Sequence, residues 1–235
     1  MIRRLTAFVI LGLCTFAQAA DTKPIEPFNG KDFKGWKFKD EKKSMWQVGN
    51  PILSPVDPRR LAISAPVAGS ALSMVNFLAV GEHGSDIFTE EKFGDIHLEL
   101  EFMVPKGSNS GVYLMGEYEV QVLDSYGKPD DKLTQGDLGA LYSAAAPKKN
   151  AAKKPGEWQK FVIDFQAPKF EGEKKVANAK FIKVVLNDVV LHENVEMKQQ
   201  TPGGLTGKEH PTGPLMFQGD HGAVAFRNIK ITPKK

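Results

Sequence analysis

Residues 117–124 read Glu-Tyr-Glu-Val-Gln-Val-Leu-Asp and follow a turn-like segment, Lys-Gly-Ser-Asn-Ser-Gly, at 106–111. Side chains in an extended strand point alternately to opposite faces. The residues predicted to face a core are Tyr118, Val120 and Val122. The residues predicted to face the other way are Glu117, Glu119 and Gln121. One buried face and one polar, reachable face are typical of an antiparallel sheet.

The segment just before that turn, residues 97–104, alternates in the same way. Its apolar residues are predicted to point inward, and His97, Glu99 and Glu101 to point outward. If both strands share one sheet, several carboxylates, an amide and an imidazole line one surface. Carboxylates that lie close together raise one another's pKa and can supply an acid or a base near neutral pH. The sequence therefore predicts chemistry on this surface.

Short apolar or β-branched runs recur along the chain between Gly, Pro, Asn and Asp residues. Asn187-Asp188 separates two such runs and predicts a tight hairpin, since both residue types tolerate positive φ. Many short strands separated by turn residues indicate an all-β sandwich or barrel. The predicted strands are 46–48, 72–78, 96–104, 111–116, 118–124, 138–142, 158–166, 179–186, 189–193, 214–218 and 223–232.

Residues 1–19 have the pattern of a signal peptide, with two arginines, an apolar run and the cleavage motif Ala17-Gln18-Ala19. A retained anchor is the alternative, but the run is shorter than the roughly 20 residues that span a bilayer. We therefore expect a periplasmic or extracellular protein with no membrane partner after cleavage. Residues 20–235 are predicted to form one domain with three long loops, at 51–71, 143–157 and 195–213.

Removal of the signal peptide also removes Cys14, the one cysteine of the chain, and lowers the formal net charge from +3 to +1. Disulfides, thiol catalysis and thiolate metal sites are thereby excluded from the mature chain. A near-neutral balance of interspersed charges argues against a nucleic-acid partner. The sequence also lacks a P-loop, a dinucleotide-binding glycine motif, a helical zinc motif and a serine-hydrolase elbow.

A second polar group surrounds Asp220-His221-Gly222, which separates two strand-like runs, 214–218 and 224–229. If these runs form a hairpin, Gln218 and Arg227 come close together beside Asp220 and His221. An ordinary β-turn with a capping aspartate is the alternative for the same residues.

At these residues the chain resembles the 3-keto-disaccharide hydrolase family, as a secreted member of the planctomycete type. The matching segments, in order, are 28–36, 93–102, 107–113, 118–124, 139–142, 155–158, 218–222 and 226–229. The resemblance implies a concanavalin A-like jelly roll, in which two antiparallel sheets pack together and the concave sheet carries the site. It also implies a carbohydrate substrate.

The chemistry that the resemblance implies is cleavage of glycosides whose sugar carries a ketone at C3. The ketone acidifies the C2 proton, so a base can remove it, the aglycone leaves from C1, and water then adds back. The catalytic residues carried over are Glu119, His221, Glu101 and Asp124. The substrate-binding residues carried over are Asn109, Tyr113, Gln121, Gln218 and Arg227. Which residue acts as base and which as acid stays open, as does a divalent metal as electrophile.

Two other functions fit a jelly roll, because a fold does not determine a function. A non-catalytic, lectin-like carbohydrate-binding module would use aromatic and neutral polar groups, whereas the predicted polar face is rich in glutamate. An ordinary glucanase would need paired acids in a Glu-x-Asp-x-x-Glu run, which Glu99 and Glu101 imitate only in part. The sequence does not indicate the natural aglycone or the oligomeric state.

Overall fold

The computed structural model describes residues 23–65, 69, 72–78, 82 and 84–234. The predicted signal peptide, residues 1–19, lies outside the described residues. Strands dominate, and the two helical elements are single 3-10 turns at Glu41–Lys43 and Asp130–Lys132. No helix within the described ranges has the length and apolar character needed to cross a membrane.

Two large antiparallel sheets form the molecule. The five-stranded sheet has the order β1-β5-β14-β7-β8, with bounds β1 Trp36–Phe38, β5 Ile87–Phe93, β14 Gly213–Phe217, β7 Asn109–Leu114 and β8 Tyr118–Leu123. The eight-stranded sheet has the order β13-β12-β9-β6-β15-β4-β2-β3, with bounds β13 Val189–Met197, β12 Ala179–Leu186, β9 Gln159–Gln166, β6 Ile96–Met103, β15 Val224–Pro233, β4 Ser73–Asn76, β2 Trp46–Leu53 and β3 Leu61–Ser64. A separate hairpin pairs β10 Lys169–Glu171 with β11 Lys174–Ala177. The predicted jelly-roll sandwich of two antiparallel sheets is confirmed.

The core lies between the two sheets and is built from the apolar residues that alternation predicted to point inward. Tyr118, Val120 and Val122 of β8 are fully buried in it. Phe217 and Phe226 come from opposite sheets, and their rings stack with centroids 3.9 Å apart. Such offset or stacked aromatic pairs add to the stabilisation from buried area, so this contact helps to hold the sheets together.

The expectation that the strands around Glu101 and Glu119 share a sheet is wrong. β6 lies in the eight-stranded sheet, whereas β8 is an edge strand of the five-stranded sheet. The apolar residues of both strands meet in the core, so their polar residues face away from each other on opposite sides of the sandwich. Alternation determines the face of a residue relative to the core, and it leaves open which sheet the strand joins.

The predicted hairpin that brings Gln218 and Arg227 together is wrong for a similar reason. Gln218 follows β14 in the five-stranded sheet, and Arg227 lies on β15 in the eight-stranded sheet. Residues 218–223 therefore cross from one sheet to the other instead of turning back within a sheet.

Most predicted strands are present, and the Asn187-Asp188 hairpin is confirmed, with φ of 49° and 67° at its two turn residues. The predicted strand at 138–142 is wrong, because these residues form turns with isolated bridges at Leu141. The strands that the sequence analysis missed are β1, β3, β5, β10 and β11. In β5, the exposed run Glu90-Glu91-Lys92 conceals the alternation.

Candidate active site

A small chamber lies on the face of the five-stranded sheet that points away from the core. Its floor comes from β7 and β8, where Tyr113 pairs with Glu119 and Gly111 pairs with Gln121. The chamber has a volume of about 220 Å³. The residues that line it are Asn109, Tyr113, Glu119, Gln121, Tyr142, Pro202, Gly203, Gln218 and His221.

Two loops rather than a further strand cover the outer edge of β8. The backbone N–H of Glu119 donates to Thr201 Oγ1 at 3.0 Å, and the N–H of Tyr142 donates to the Glu119 carbonyl at 3.2 Å. The N–H of Gln121 donates to the carbonyl of Ala140 at 2.9 Å. An edge strand that is covered in this way keeps its backbone groups paired, and the covering loops become the walls of the chamber.

One wall is a strap, defined here as residues 200–207, and the buried carboxylate of Glu117 anchors it. Thr206 donates to Glu117 Oε1 from both its N–H and its hydroxyl, each at 2.7 Å, and the N–H of Gly207 donates to Oε2 at 3.1 Å. Thr201 binds the Glu117 carbonyl through its N–H and its hydroxyl, both at 2.9 Å. Glu117 therefore holds the strap on the sheet, although it does not line the chamber.

Gly111 makes room for the carboxyl group of Glu119. A Cβ atom at position 111 would lie 2.3 Å from Glu119 Oε1 and 2.8 Å from Tyr113 Cε2. The backbone of Gly111 lacks the positive φ that favours glycine for conformational reasons. The absence of a side chain at this position thus serves the site, because the Glu119 carboxyl group occupies the space.

Glu119 is 3% exposed, and burial raises its pKa to about 7. A hydrogen bond with the Tyr113 hydroxyl lowers this pKa, while the negative charges of Asp86 and Asp220 raise it further. Water stabilises an ionised carboxylate better than a protein interior does, which explains the direction of the main effect. Near neutral pH, Glu119 can therefore exchange a proton, as a general base or acid must.

Asp86 is an acidic residue near the site that the sequence analysis missed. It is buried, and its carboxylate accepts hydrogen bonds from the N–H of Gly219 at 2.9 Å and from Lys39 Nζ at 3.3 Å. Burial raises its pKa. Asp86 lies just before β5 in an irregular stretch of sequence, where no local pattern indicates its proximity to Glu119.

Amide and phenol groups surround the Glu119 carboxyl. Asn109 Oδ1 and Gln218 Oε1 are buried and have no hydrogen-bond partner within the described part of the protein. Burial, with the nearby Glu119 charge, raises the pKa of Tyr113, so this hydroxyl stays protonated. An acceptor buried without a partner costs free energy, so the two amide oxygens are suited to hydroxyl groups of a ligand.

His221 lies at the mouth of the chamber and pairs through Nδ1 with Oδ1 of its neighbour, Asp220. Both side chains are exposed. A carboxylate at one ring nitrogen orients an imidazole and leaves the other nitrogen for a ligand. The turn predicted at Asp220-His221-Gly222 therefore contributes a directed imidazole to the site.

The structure brings together six of the nine predicted site residues: Asn109, Tyr113, Glu119, Gln121, Gln218 and His221. Glu101 and Arg227 lie on the opposite sheet, where Arg227 Nε donates to Glu101 Oε2 at 2.8 Å and the guanidinium lies 3.9 Å from the Trp158 ring centre. The prediction that they share the groove of Glu119 is wrong.

Asp124 has a local structural role at the end of β8. Its carboxylate accepts hydrogen bonds from the N–H groups of Gly107 at 2.9 Å and Tyr126 at 3.3 Å. It is absent from the lining of the chamber. Its position in the sequence next to β8 suggested a site residue, but its contacts instead fix the turn that precedes β7.

Within the described ranges, no three or more His, Cys, Asp or Glu side chains come together in a way that could hold a metal ion. The polar side chains that line the chamber supply one carboxylate, one imidazole, three amides and two phenol hydroxyls. A cation at this place would therefore need amide oxygens, such as those of Asn109 and Gln218, to complete its ligands. The divalent metal stays a prediction.

A family model described as the 3-keto-alpha-glucoside-1,2-lyase-like domain matches residues 23–232, a range that covers nearly all of both sheets. The chain belongs to this family. The resemblance noted from the sequence is thereby confirmed at the level of the family. A lyase of the kind that the family description names breaks a bond by elimination, which requires removal of a proton.

One relative of this family member is similar in sequence, and another is similar in sequence and structure. A 3-keto-disaccharide hydrolase of Bacteroides thetaiotaomicron is 27% identical over 161 residues, which cover 58% of this chain and 50% of that protein. The match thus spans half the length of that relative. A candidate glycosyl hydrolase of known structure from Parabacteroides distasonis is 28% identical, with a TM-score of 0.65 over 90% of this chain and 84% of that one.

A second candidate glycosyl hydrolase from Parabacteroides distasonis has a TM-score of 0.58 and covers 90% of this chain and 94% of its own. At 19% identity, this similarity supports the fold of the family member and carries no information on its site.

Substitution of Gly111 by alanine tests the geometry of the chamber. We expect Gly111→Ala to displace the Glu119 carboxyl and to lower turnover by about 10²-fold, since misplacement of a reacting group by about 1 Å costs that much. The backbone at Gly111 is compatible with alanine, so thermal unfolding should still show a folded protein. Steady-state kinetics and circular dichroism measure the two effects.

Gly136→Ala is the matched control, because Gly136 also lacks a positive φ and its nearest neighbour would lie 3.9 Å from a new Cβ. It should leave turnover unchanged. Full activity of Gly111→Ala would contradict the assignment of Glu119 to a fixed position above Gly111.

Proposed function

We propose that this protein cleaves 3-keto-glycosides, with Glu119 removing the C2 proton of the keto-sugar. The observation that carries the proposal is the buried Glu119 carboxyl, whose pKa burial raises to about 7, in a chamber lined by two amide oxygens that have no partner among the described residues. A group with a pKa near the working pH is suited to general base catalysis. Membership of a family described by a 1,2-lyase activity on keto-glucosides supports the same reaction.

The reaction begins when Glu119 takes the proton from C2 and the electrons of the C–H bond move toward the C3 ketone. The resulting enolate then forms a double bond between C1 and C2, and the bond between C1 and the glycosidic oxygen breaks. The leaving oxygen receives a proton, so the products are an unsaturated keto-sugar and the free aglycone. Addition of water across the double bond, with a proton returned to C2, completes a net hydrolysis.

Other residues of the chamber fit the remaining roles. The hydroxyl of Tyr113 stays protonated and contacts Glu119, so it orients the base. The amide groups of Asn109, Gln121 and Gln218 would bind hydroxyl groups and stabilise the developing negative charge, as preorganised donors do. His221, oriented by Asp220, is our candidate for the acid that protonates the leaving oxygen.

The alternative of a lectin-like binding module explains the chamber less well. Binding of neutral hydroxyl groups needs no ionisable group, and a buried carboxyl destabilises the fold once it ionises. An ordinary glycosidase would place two carboxyl groups on either side of the bond that breaks. Among the described residues that line the chamber, Glu119 carries the one carboxyl group.

Glu119→Gln tests the proposal because it preserves shape and removes the proton acceptor. We expect turnover of 3-keto-trehalose by the unaltered protein to rise with pH through about 7, since Glu119 must be ionised to act as the base. The variant should lose about 10²-fold or more of this turnover. Measurement of kcat/KM from about pH 5 to about pH 9, a range that brackets this pKa, checks both statements.

The free energy of unfolding should fall as pH rises toward 7, whereas turnover should rise over the same range. A folded-state pKa raised above the unfolded value means that this group favours folding below the unfolded pKa, and that this contribution is lost as pH rises through about 7. Glu119→Gln should therefore resist urea better than the unaltered protein above pH 7 and equally well below pH 4.5, the ordinary glutamate pKa.

Unoxidised trehalose is the substrate control, because its C2 proton lacks an adjacent ketone and should not be removed. Equal cleavage of trehalose and 3-keto-trehalose would contradict the proposal and favour an ordinary glycosidase. Retention of full turnover by Glu119→Gln would exclude Glu119 as the base.

We also propose that the protein is exported to the periplasm or beyond, as a secreted, planctomycete-type member of its family. The charged start, the short apolar run and the Ala17-Gln18-Ala19 motif support this proposal. Intact-mass measurement of the protein recovered from a bacterial periplasm should give a chain that starts at Ala20. A mass that retains the first 19 residues would contradict cleavage there.

A further inference from the structure

The chamber around Glu119 is too small for both sugars of a disaccharide. Its volume of about 220 Å³ equals roughly seven water molecules at about 30 Å³ each. Pockets that enclose larger organic ligands have volumes of roughly 300–1,000 Å³. One sugar ring can therefore lie beside Glu119, and the leaving sugar must lie outside the chamber.

A second cavity adjoins the chamber and shares two of its walls, Tyr142 and Pro202. We call it the Tyr142 cleft, and its volume is about 440 Å³. Its lining residues are Tyr142, Ser143, Ala144, Glu196, Met197, Lys198, Gln199, Gln200, Thr201 and Pro202. A ligand that fills the chamber and extends past Tyr142 would enter this cleft directly.

The chemistry of the Tyr142 cleft is suited to a sugar. Tyr142 is half-buried and contributes an aromatic residue to the lining, and Gln199 and Ser143 contribute exposed polar residues. Ser143 also has a φ of 58°, a left-handed conformation that is unfavourable for a residue other than glycine. Such strained residues concentrate at ligand sites, and this one forms the rim of the cleft.

A third cavity, of about 460 Å³, is the competing location for the leaving sugar. Among the described residues it shares none of its lining with the chamber, and the strap residues that line it are Leu205 and Thr206 rather than Pro202 and Gly203. Two of its lining residues, Lys37 and Glu90, pair at 3.2 Å. The third cavity thus has no wall in common with the chamber among the described residues, whereas the Tyr142 cleft shares Tyr142 and Pro202 with it.

We propose that the Tyr142 cleft binds the leaving sugar of a 3-keto-disaccharide and thereby selects disaccharides over small glycosides. This assignment rests on the proposed function and extends it to the aglycone. Tyr142 separates the two sugars, and the exposed polar groups of the cleft bind hydroxyl groups of the sugar that leaves.

The test compares 3-keto-trehalose, whose leaving group is glucose, with methyl 3-keto-α-glucoside, whose leaving group is methanol. Gln199→Ala removes one polar group of the cleft, and Ala144→Leu narrows it without adding a polar group. Gln199→Ala should lower kcat/KM for 3-keto-trehalose by about 3- to 10-fold, the value of one hydrogen bond. Ala144→Leu should lower it at least as much, and both variants should cleave the methyl glycoside as the unaltered protein does.

Lys92→Ala, in the lining of the third cavity, is the matched control and should leave both substrates unaffected. The assignment would be overturned if the two cleft variants lowered kcat/KM equally for both substrates, or if they left kcat/KM for 3-keto-trehalose unchanged. A selective loss in Lys92→Ala would instead locate the leaving sugar in the third cavity. If the unaltered protein cleaves neither keto-sugar, the proposed function fails and this assignment with it.

Discussion

The burial of one carboxyl group determines how the rest of this structure is arranged. Glu119 projects from an edge strand on the side away from the core, where a glutamate would ordinarily be solvated. Gly111 beside it leaves space for the carboxyl, and Thr201 of the strap binds the backbone N–H of Glu119. An isolated carboxylate is costly to bury, so the protein raises the pKa of Glu119 to about 7 and obtains a group that exchanges protons near neutral pH.

The walls of the chamber depend on β8 being an edge strand. A further strand at this edge would have paired with the free backbone groups of β8 and taken the place of the two loops that form the walls. Instead, the backbone N–H of Glu119 donates to Thr201 Oγ1, and the Glu119 carbonyl accepts a hydrogen bond from the N–H of Tyr142. Glu117, two residues earlier on the same side of the chain, holds the strap through three donors. Alternate residues of one short segment thus supply the proposed base and the anchor of its cover.

The sandwich behind the chamber provides the rigidity that such a site needs. Apolar residues of β8 pack against the eight-stranded sheet, and the stacked rings of Phe217 and Phe226 join the sheets at the end of β14, directly before Gln218. A catalytic group on a strand with a buried opposite face has little freedom to move. The fold therefore fixes the positions of the floor residues, while the two loops determine what can enter.

Local patterns in the sequence predicted the local features of this protein well. The directions of the β8 side chains and the Asn187-Asp188 hairpin depend on neighbours in sequence, and both are as expected. The expectation of a solvent-reachable polar face on β8 is wrong, because Glu117, Glu119 and Gln121 are buried. Glu101 and Arg227 were misassigned because the choice of sheet depends on long-range pairing, which alternation does not encode. Asp86 was missed for the same reason, since its proximity to Glu119 arises from the crossing of distant segments.

The most direct test of the central claim is the isotope effect of the C2–H bond. Glu119 is proposed to remove this hydrogen, so 3-keto-trehalose carrying deuterium at C2 should react more slowly than the ordinary compound under identical conditions. We expect a normal primary isotope effect on kcat/KM for the unaltered protein, measured by direct competition between the two substrates. Equal rates for the two substrates, with isotope retained at C2 of the keto-sugar product, would contradict proton abstraction and favour direct displacement at C1.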